Sequence, residues 1–333
     1  MIDNIGRKIN YLRISVTDRC NLRCTYCMPK EGIKLISHDE ILSFHEILRI
    51  VKCCSKLGIE NIRLTGGEPL IRKGITKLIK DIKNVPGIKE VSITTNGIIL
   101  KDCIDELIEA GLDRINISLD TLNRDKFKKI TGVDGYDNVK EGILRALEKN
   151  IRHVKLNVVI MKEVNFTEIM DFVKLAEEKP IHIRFIELMP IGLGSNLIGV
   201  KNDTIKSIIE NQRELIPFDE VKGLGPASYF KTVNSKGSIG FISPISHKFC
   251  AQCNRIRLTS EGFLKLCLHW NTGVNLKEKL RLGIDDEELK NIINKAIKNK
   301  PYKHDFKVDK KNMKQKNIKQ KNYDLRGMFQ IGG

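Results

Sequence analysis

Six of the nine cysteines fall into two groups of three. The first, CNLRCTYC, places thiols at Cys20, Cys24 and Cys27, a C-x3-C-x2-C spacing. The second, FCAQCNRIRLTSEGFLKLC, places them at Cys250, Cys253 and Cys267, a C-x2-C-x13-C spacing. A closed structural zinc site asks for four protein ligands. The first group lacks a fourth, since the nearest histidine, His38, has no suggestive spacing. A four-iron cluster held by three thiolates is the alternative, and it leaves one iron open to a ligand that is not protein. The second group keeps zinc as a live reading, because His269 stands two residues after Cys267 and would complete a tetrahedral set. Arg255 and Arg257 weigh the other way. Strand alternation puts both on one face beside the cysteines, as a substrate pocket next to an open iron would need. Cys53, Cys54 and Cys103 lie in helix-patterned stretches and read as packing residues.

These groups need a scaffold. Short apolar runs at 11–16, 61–66, 90–95, 114–119, 154–160 and 181–188 read as strands. Helical patterns lie between them. One runs over DEILSFHEILRIVKCCSKLG with Gly58 as its C-cap, another over DCIDELIEAGL with Asp102 as N-cap and Gly111 as stop. Strands alternating with helices predict a parallel α/β sheet. The cysteine run, GGEP (66–69), TTNG (94–97), SLD (118–120) and LMP (188–190) all fall at strand C-terminal ends. That is where a barrel carries its site, so the expectation is a partial, six-unit TIM-type βα barrel. A smaller α+β extension follows, with a hairpin turning at NSKG and helices over 275–299. The division expected is 1–220 for the barrel and 221–333 for the extension. Residues 303–323 are nearly devoid of apolar side chains and read as a basic tail. It ends in MFQIGG. Met328, Phe329 and Ile331 would anchor that end, and Gly332 and Gly333 form a strip thin enough to thread into a crowded pocket.

Composition narrows the class. Hydrophobic residues make up 41% and charged residues 30%, ordinary for a soluble globular protein. No apolar run is long enough to span a membrane and residues 1–10 are polar, so the reading is cytoplasmic, without a membrane partner. The net charge is +17. A zinc-binding nucleic-acid module is one account of it, but aromatic content is 6%, which leaves few stacking platforms. Lys and Asn are plentiful throughout, so most of the excess is compositional. The expectation is no nucleic-acid partner.

CNLRCTYC, with an aromatic residue before its last cysteine, resembles the cluster motif of radical S-adenosylmethionine enzymes. Along nearly its whole length the chain resembles the molybdenum cofactor biosynthesis protein A family, the GTP 3′,8-cyclases. The matching stretches are LRISVTDRCNLRCTYCMP, IRLTGGEPLIR, TTNG, INISLD, VKLNVVI, IRFIELMP, FCAQCNRIRLTSEGFLKLCL and the terminal IGG. Leu22 stands where an aromatic is common and Glu261 where aspartate is usual. The resemblance implies two [4Fe-4S] clusters and S-adenosyl-L-methionine, which would fill the open position of the first cluster. It implies S-adenosylmethionine contacts at Tyr26, Gly67, Ser118 and Met189. It implies GTP contacts at Arg13, Arg63, Thr94, Lys155, Arg255 and Arg257, and a need for the terminal Gly332 and Gly333 in the reaction. Paired cations suit a triphosphate. An electron donor of flavodoxin or ferredoxin type, cyclic pyranopterin monophosphate synthase downstream and a homodimer are further expectations of the family.

Overall fold

Runs rich in isoleucine, valine and threonine form strands at each of the six expected places. These are β1 (Tyr11–Ser15), β2 (Asn61–Thr65), β3 (Glu90–Thr95), β4 (Arg114–Ser118), β5 (Lys155–Val158) and β6 (His182–Ile186). Six further strands follow: β7 (Ile216–Pro217), β8 (Ser228–Lys231), β9 (Ser238–Ile242), β10 (Arg255–Leu258), β11 (Phe263–Lys265) and β12 (Gly273–Asn275). The computed structural model describes residues 1–333 except 35, 150, 152, 221–224, 307–323, 325 and 333. Most of the expected tail and Gly333 therefore lie outside the described residues. Among the described residues no helix is long and apolar enough to cross a membrane.

The chain forms two compact units interleaved in sequence. The first comprises Met1–Cys20, Lys34–Val91 and Phe249–Gly333. Its β1 pairs in parallel with β2 and with β10, while β11 and β12 add antiparallel strands beyond β10. Alternation divides these strands into two faces. Leu12, Ile14, Ile62, Leu64, Ile256 and Leu258 lie in register and are buried, giving one apolar face. Tyr11, Arg13 and Ser15 point to the other. The helix Phe44–Lys56 begins at a capping box in which Ser43 and Glu46 satisfy each other's backbone amides. It ends before Gly58, whose φ of +94° favours glycine. The expected longer helix is thus broken, with a separate turn at His38–Glu40.

The second unit comprises Asn21–Ile33 and Ser92–Lys248. Here β4 pairs in parallel with β3 and β5, and β6 pairs in parallel with β5 and β9. The expected hairpin forms as β8 and β9, with Asn234 at φ +60° in its turn. Antiparallel β7 and β8 end the run. Among the described residues the run of strands closes on itself in neither unit, in keeping with a partial barrel. One helix start differs from expectation. The helix Leu100–Glu109 begins after Ile99, and Asp102 lies inside its first turn rather than at the cap. A carboxylate there still complements the exposed amides of the helix start.

Candidate active site

In the first unit, β1 leads into the stem of the first cysteine loop. The Gly67 amide donates to Thr17 O at 2.7 Å and the Glu68 amide to Arg19 O at 2.8 Å, so GGEP extends the β1–β2 ladder into the stem. A Cβ on Gly67 would meet Arg19 O at 2.1 Å, and one on Gly66 would meet Thr17 O at 2.6 Å. The glycines are therefore required by the close approach of the stem that delivers Cys20. The family resemblance gave Gly67 a different role, contact with S-adenosylmethionine. Asp18 is fully buried and accepts the Ile36 amide.

In the second unit the loop continues through Cys24 and Cys27. The amides of Cys27 and Met28 both donate to Cys24 O, at 2.8 and 3.0 Å, which closes a tight turn between the two thiols. The loop is tied down by Arg23 N to Thr131 O at 2.7 Å and Thr25 N to Ile130 O at 2.9 Å. The Tyr26 hydroxyl donates to Asp120 Oδ2 at 2.6 Å, and Asp120 Oδ1 accepts the Val159 amide at 2.8 Å. Around this pair lies a concavity of about 320 Å³ lined by residues including Cys24, Tyr26, Asn96, Ser118, Asp120 and Thr121. Burial pushes the Asp120 carboxyl up to about 6, although its bonds from Tyr26 and Val159 hold it down. Burial, then the Asp120 charge, pushes the Tyr26 phenol well up. Tyr26 and Ser118 thus share one concavity. Met189 is not part of its lining but lies half-buried after β6, while Gly67 belongs to the first unit.

The second group of cysteines lies in the first unit with an unusual set of bases. Arg257, Arg13 and Arg63 are in register across β10, β1 and β2, and Lys265 of β11 extends the row. In-register residues of adjacent strands share a face, so four cations stand side by side. Tyr11 pairs with Arg255 in the row below. The Tyr11 ring lies 5.9 Å from the Arg13 guanidinium and 5.5 Å from that of Arg63, and its buried hydroxyl has no hydrogen-bond partner among the described residues. Burial pushes this phenol up, but the charges of Arg63, Arg13 and Arg255 bring it below its usual value. Burial and the neighbouring Arg257 push Arg13 well down, and burial with Arg255 takes Arg257 down to about 10. The three guanidinium groups of this row offer paired donors of the kind a polyanion takes. Beside it, Arg7 donates to Cys250 O at 2.9 Å and Lys300 to Arg255 O at 2.8 Å. Burial raises the Cys253 thiol, but Lys300, Arg255 and Arg7 outweigh it and lower it to about 7, favouring the thiolate that a metal binds. Among the described residues no three His, Cys, Asp or Glu side chains converge closely enough for one metal ion. A cluster asks less, since each thiolate meets a different iron.

Gly332 also reaches this row. Its carbonyl accepts from Arg257 Nη1, and its φ of +71° favours glycine. A Cβ there would meet Thr65 Cγ2 at 2.7 Å and Ser15 Cβ at 3.5 Å. Gly333 lies outside the described residues. Two other expected substrate residues belong to the second unit. Lys155 is buried, donates to the Tyr229 hydroxyl at 3.2 Å and stands in register with Asn116, which is in register with Thr94. Sequence reasoning missed Arg184, which is buried on β6 and donates to Asn116 Oδ1 at 2.5 Å. The pairing of Lys155 with His182 and of Asn157 with Arg184 puts Arg184 on the face of Lys155. The alternation in IHIRFIEL was the signal available.

Two family models match the chain: the Radical SAM superfamily over residues 14–176 and Molybdenum Cofactor Synthesis C over residues 181–306. A protein of Clostridium perfringens (strain 13 / Type A) named GTP 3′,8-cyclase is 51% identical over 334 residues, covering 100% of both chains. The chain belongs to the GTP 3′,8-cyclase family. Another of its members, from Syntrophomonas wolfei subsp. wolfei, is 46% identical over 339 residues, again with 100% of both chains covered. Streptococcus suis SuiB bound to S-adenosylmethionine shares the fold, with a TM-score of 0.61 at 18% identity over 89% of this chain and 69% of that one. Membership of the cyclase family within the radical S-adenosylmethionine superfamily brings that cosubstrate and an iron–sulfur cluster to the site.

Proposed function

We propose that this chain is a radical S-adenosylmethionine enzyme, a lyase that cyclises GTP to (8S)-3′,8-cyclo-7,8-dihydro-GTP in the first step of molybdopterin biosynthesis. The observation that carries the substrate is the row of Arg257, Arg13 and Arg63 beside the second cysteine group. Arg257 is buried and Arg13 and Arg63 are half-buried, and guanidinium groups set side by side repel one another, a cost that a triphosphate of about four negative charges would lower.

Cys20, Cys24 and Cys27 would hold one [4Fe-4S] cluster, and Cys250, Cys253 and Cys267 a second. When bound, the first cluster would supply the electron that cleaves S-adenosylmethionine, and a second cluster held by Cys250, Cys253 and Cys267 would offer the nucleotide a binding position. Tyr26, Gly67, Ser118 and Met189 contact S-adenosylmethionine in this reading, and the acidic pocket of Asp120 suits its cationic groups. Arg13, Arg63, Thr94 and Lys155 hold the nucleotide, with Arg184 added from the geometry. Arg255 and Arg257 hold the phosphates and, with Gly332 and Gly333, serve the cyclisation itself. Fixed cations on strands orient the nucleotide without reorganising, the main way such charges accelerate a reaction. Residues 1–220 would then form the radical S-adenosylmethionine barrel and residues 221–333 the extension that carries the second cluster. A cytoplasmic setting, a flavodoxin- or ferredoxin-type donor, cyclic pyranopterin monophosphate synthase downstream and a homodimer complete the reading.

The test is anaerobic iron reconstitution followed by incubation with S-adenosylmethionine, a reductant and GTP deuterated at C3′. The expected result is a cyclic nucleotide together with deuterium in the 5′-deoxyadenosine. 5′-Deoxyadenosine without deuterium, and no change to GTP, would reject GTP as the substrate.

A further inference from the structure

The cationic row has four members, but the fourth is not available to a polyanion. Lys265 is fully buried on β11, in register with Arg257. Its ammonium donates to Trp270 O at 3.0 Å and pairs with the carboxylate of Asp324, itself buried. Asp324 begins the last described stretch of the chain. Its other oxygen accepts from Arg326 N at 2.9 Å and Arg326 Nε at 3.0 Å, and its amide donates to His269 O at 3.2 Å. Arg326 reaches Asn271 Oδ1 at 2.6 Å and lies over the Phe263 ring at 4.7 Å. A helical turn follows at Met328–Ile331, closed by Gln330 Oε1 accepting the Gly327 amide at 2.9 Å. Ile331 is buried, and Gly332 O then accepts from Arg257.

Adjacent cations in one sheet row thus hold the two ends of this segment, Lys265 at Asp324 and Arg257 at Gly332. The segment is a short loop pinned at its base. We infer that the Lys265–Asp324 pair is the anchor that positions the C-terminal segment, so that Gly332 reaches the arginine row. Both are positioning residues, acting through Gly332. The inference rests on the reading above that Gly332 serves cyclisation. A buried ion pair suits the task. Arg326 also pairs with Asp324, at 3.0 Å, but it belongs to the same segment, so of the two cations only Lys265 ties the carboxylate to the sheet. Without Lys265 the segment would lift at its base, and Arg257 alone would have to hold a glycine carbonyl.

Asp324→Asn tests this without altering a strand, and Lys265→Met tests it from the other side with a side chain of similar length. Two readouts separate the anchor from its consequence. The first is carboxypeptidase trimming of the folded, full-length protein, which needs no cluster and no turnover. Each variant should be trimmed on the order of tenfold faster than the parent or more, as expected for loss of a buried charge pair. The double variant Lys265→Met/Asp324→Asn should be no worse than the worse single variant, because both remove the same interaction. The second is the ratio of cyclic nucleotide to 5′-deoxyadenosine in the reconstituted enzyme, which should fall severalfold while total 5′-deoxyadenosine holds. A loss of folding alone would lower both products together. Trimming at the parental rate in Asp324→Asn overturns the anchor. Faster trimming with an unchanged product ratio overturns the link to cyclisation and, with it, the role given to Gly332.

Discussion

Around Tyr26 the chain buries an acid, and along β1, β2 and β10 it gathers bases. The two regions treat their charge in opposite ways. Asp120 receives a phenol and a backbone amide, so its acceptors are met within the protein even though burial pushes it up to about 6. The arginines of the other region are given each other. Arg13 stands between Arg257 and Arg63, with only a phenol whose hydroxyl has no partner among the described residues. A satisfied pocket is preorganised for a small cationic ligand and keeps its shape without one. Guanidinium groups set side by side repel one another, and a bound polyanion would lower that repulsion. The same chain thus carries one region that is complete before its ligand arrives and one that is completed by it.

The most severe way to break the comparison is at the first cysteine loop. Cys24→Ser removes a thiolate at the start of the tight turn and should abolish 5′-deoxyadenosine formation altogether, whether or not GTP is present. Iron content and 5′-deoxyadenosine of the anaerobically purified variant measure this. Parental amounts of 5′-deoxyadenosine would end the assignment of this loop to radical generation.

A graded effect is expected on the basic side. Arg63→Ala and Lys155→Ala each remove a charge-assisted contact worth about 1.5–3 kcal/mol, a loss of roughly tenfold to over a hundredfold in GTP affinity. Guanosine, which lacks the phosphates, should be far less affected. Equal losses for GTP and guanosine in an equilibrium binding assay would make both residues supports of the fold instead.

A smaller change sharpens the acidic side. A carboxyl whose folded pKa is raised favours the folded state most below its unfolded value, near 4, and that contribution is lost as pH rises through about 6. The loss at Asp120 should reach about 3 kcal/mol across that window. Asp120→Asn does not titrate there. Denaturant unfolding of parent and variant at pH 5 and pH 7.5 should therefore show the parent losing stability relative to the variant at the higher pH. Parallel behaviour at both values would mean that Asp120 is not held in an unfavourable charge state.

Local order was largely legible in the sequence. All six β-branched runs became strands, because alternation and turn residues act over a few neighbours. The hairpin at 228–242 was legible for the same reason. What short-range pattern could not show is pairing at a distance. That β10 lies against β1, and so brings Arg257 beside Arg13, depends on residues 244 positions apart in sequence, as Asn254 and Asn10 are. Arg184 was passed over because one basic residue on a strand is usually a solvated charge, and only its register with Asn157 distinguishes it. The glycines of GGEP were singled out correctly for attention, but their physical reason, the carbonyl of Arg19 in the space of a side chain, is a tertiary contact. The expected cap at Asp102 failed because a carboxylate serves a helix start almost equally well within its first turn.

The account's central claim is that the two cysteine groups do different work, the first making the radical and the second directing it to GTP. Cys267→Ser separates these most directly. The measurement is the amount of 5′-deoxyadenosine and of cyclic nucleotide formed by this variant under anaerobic, reducing conditions with S-adenosylmethionine and GTP. The prediction is 5′-deoxyadenosine near the parental level with the cyclic nucleotide reduced to background. Cyclic nucleotide at the parental rate, or both products lost together in a variant that keeps the first cluster, would contradict it.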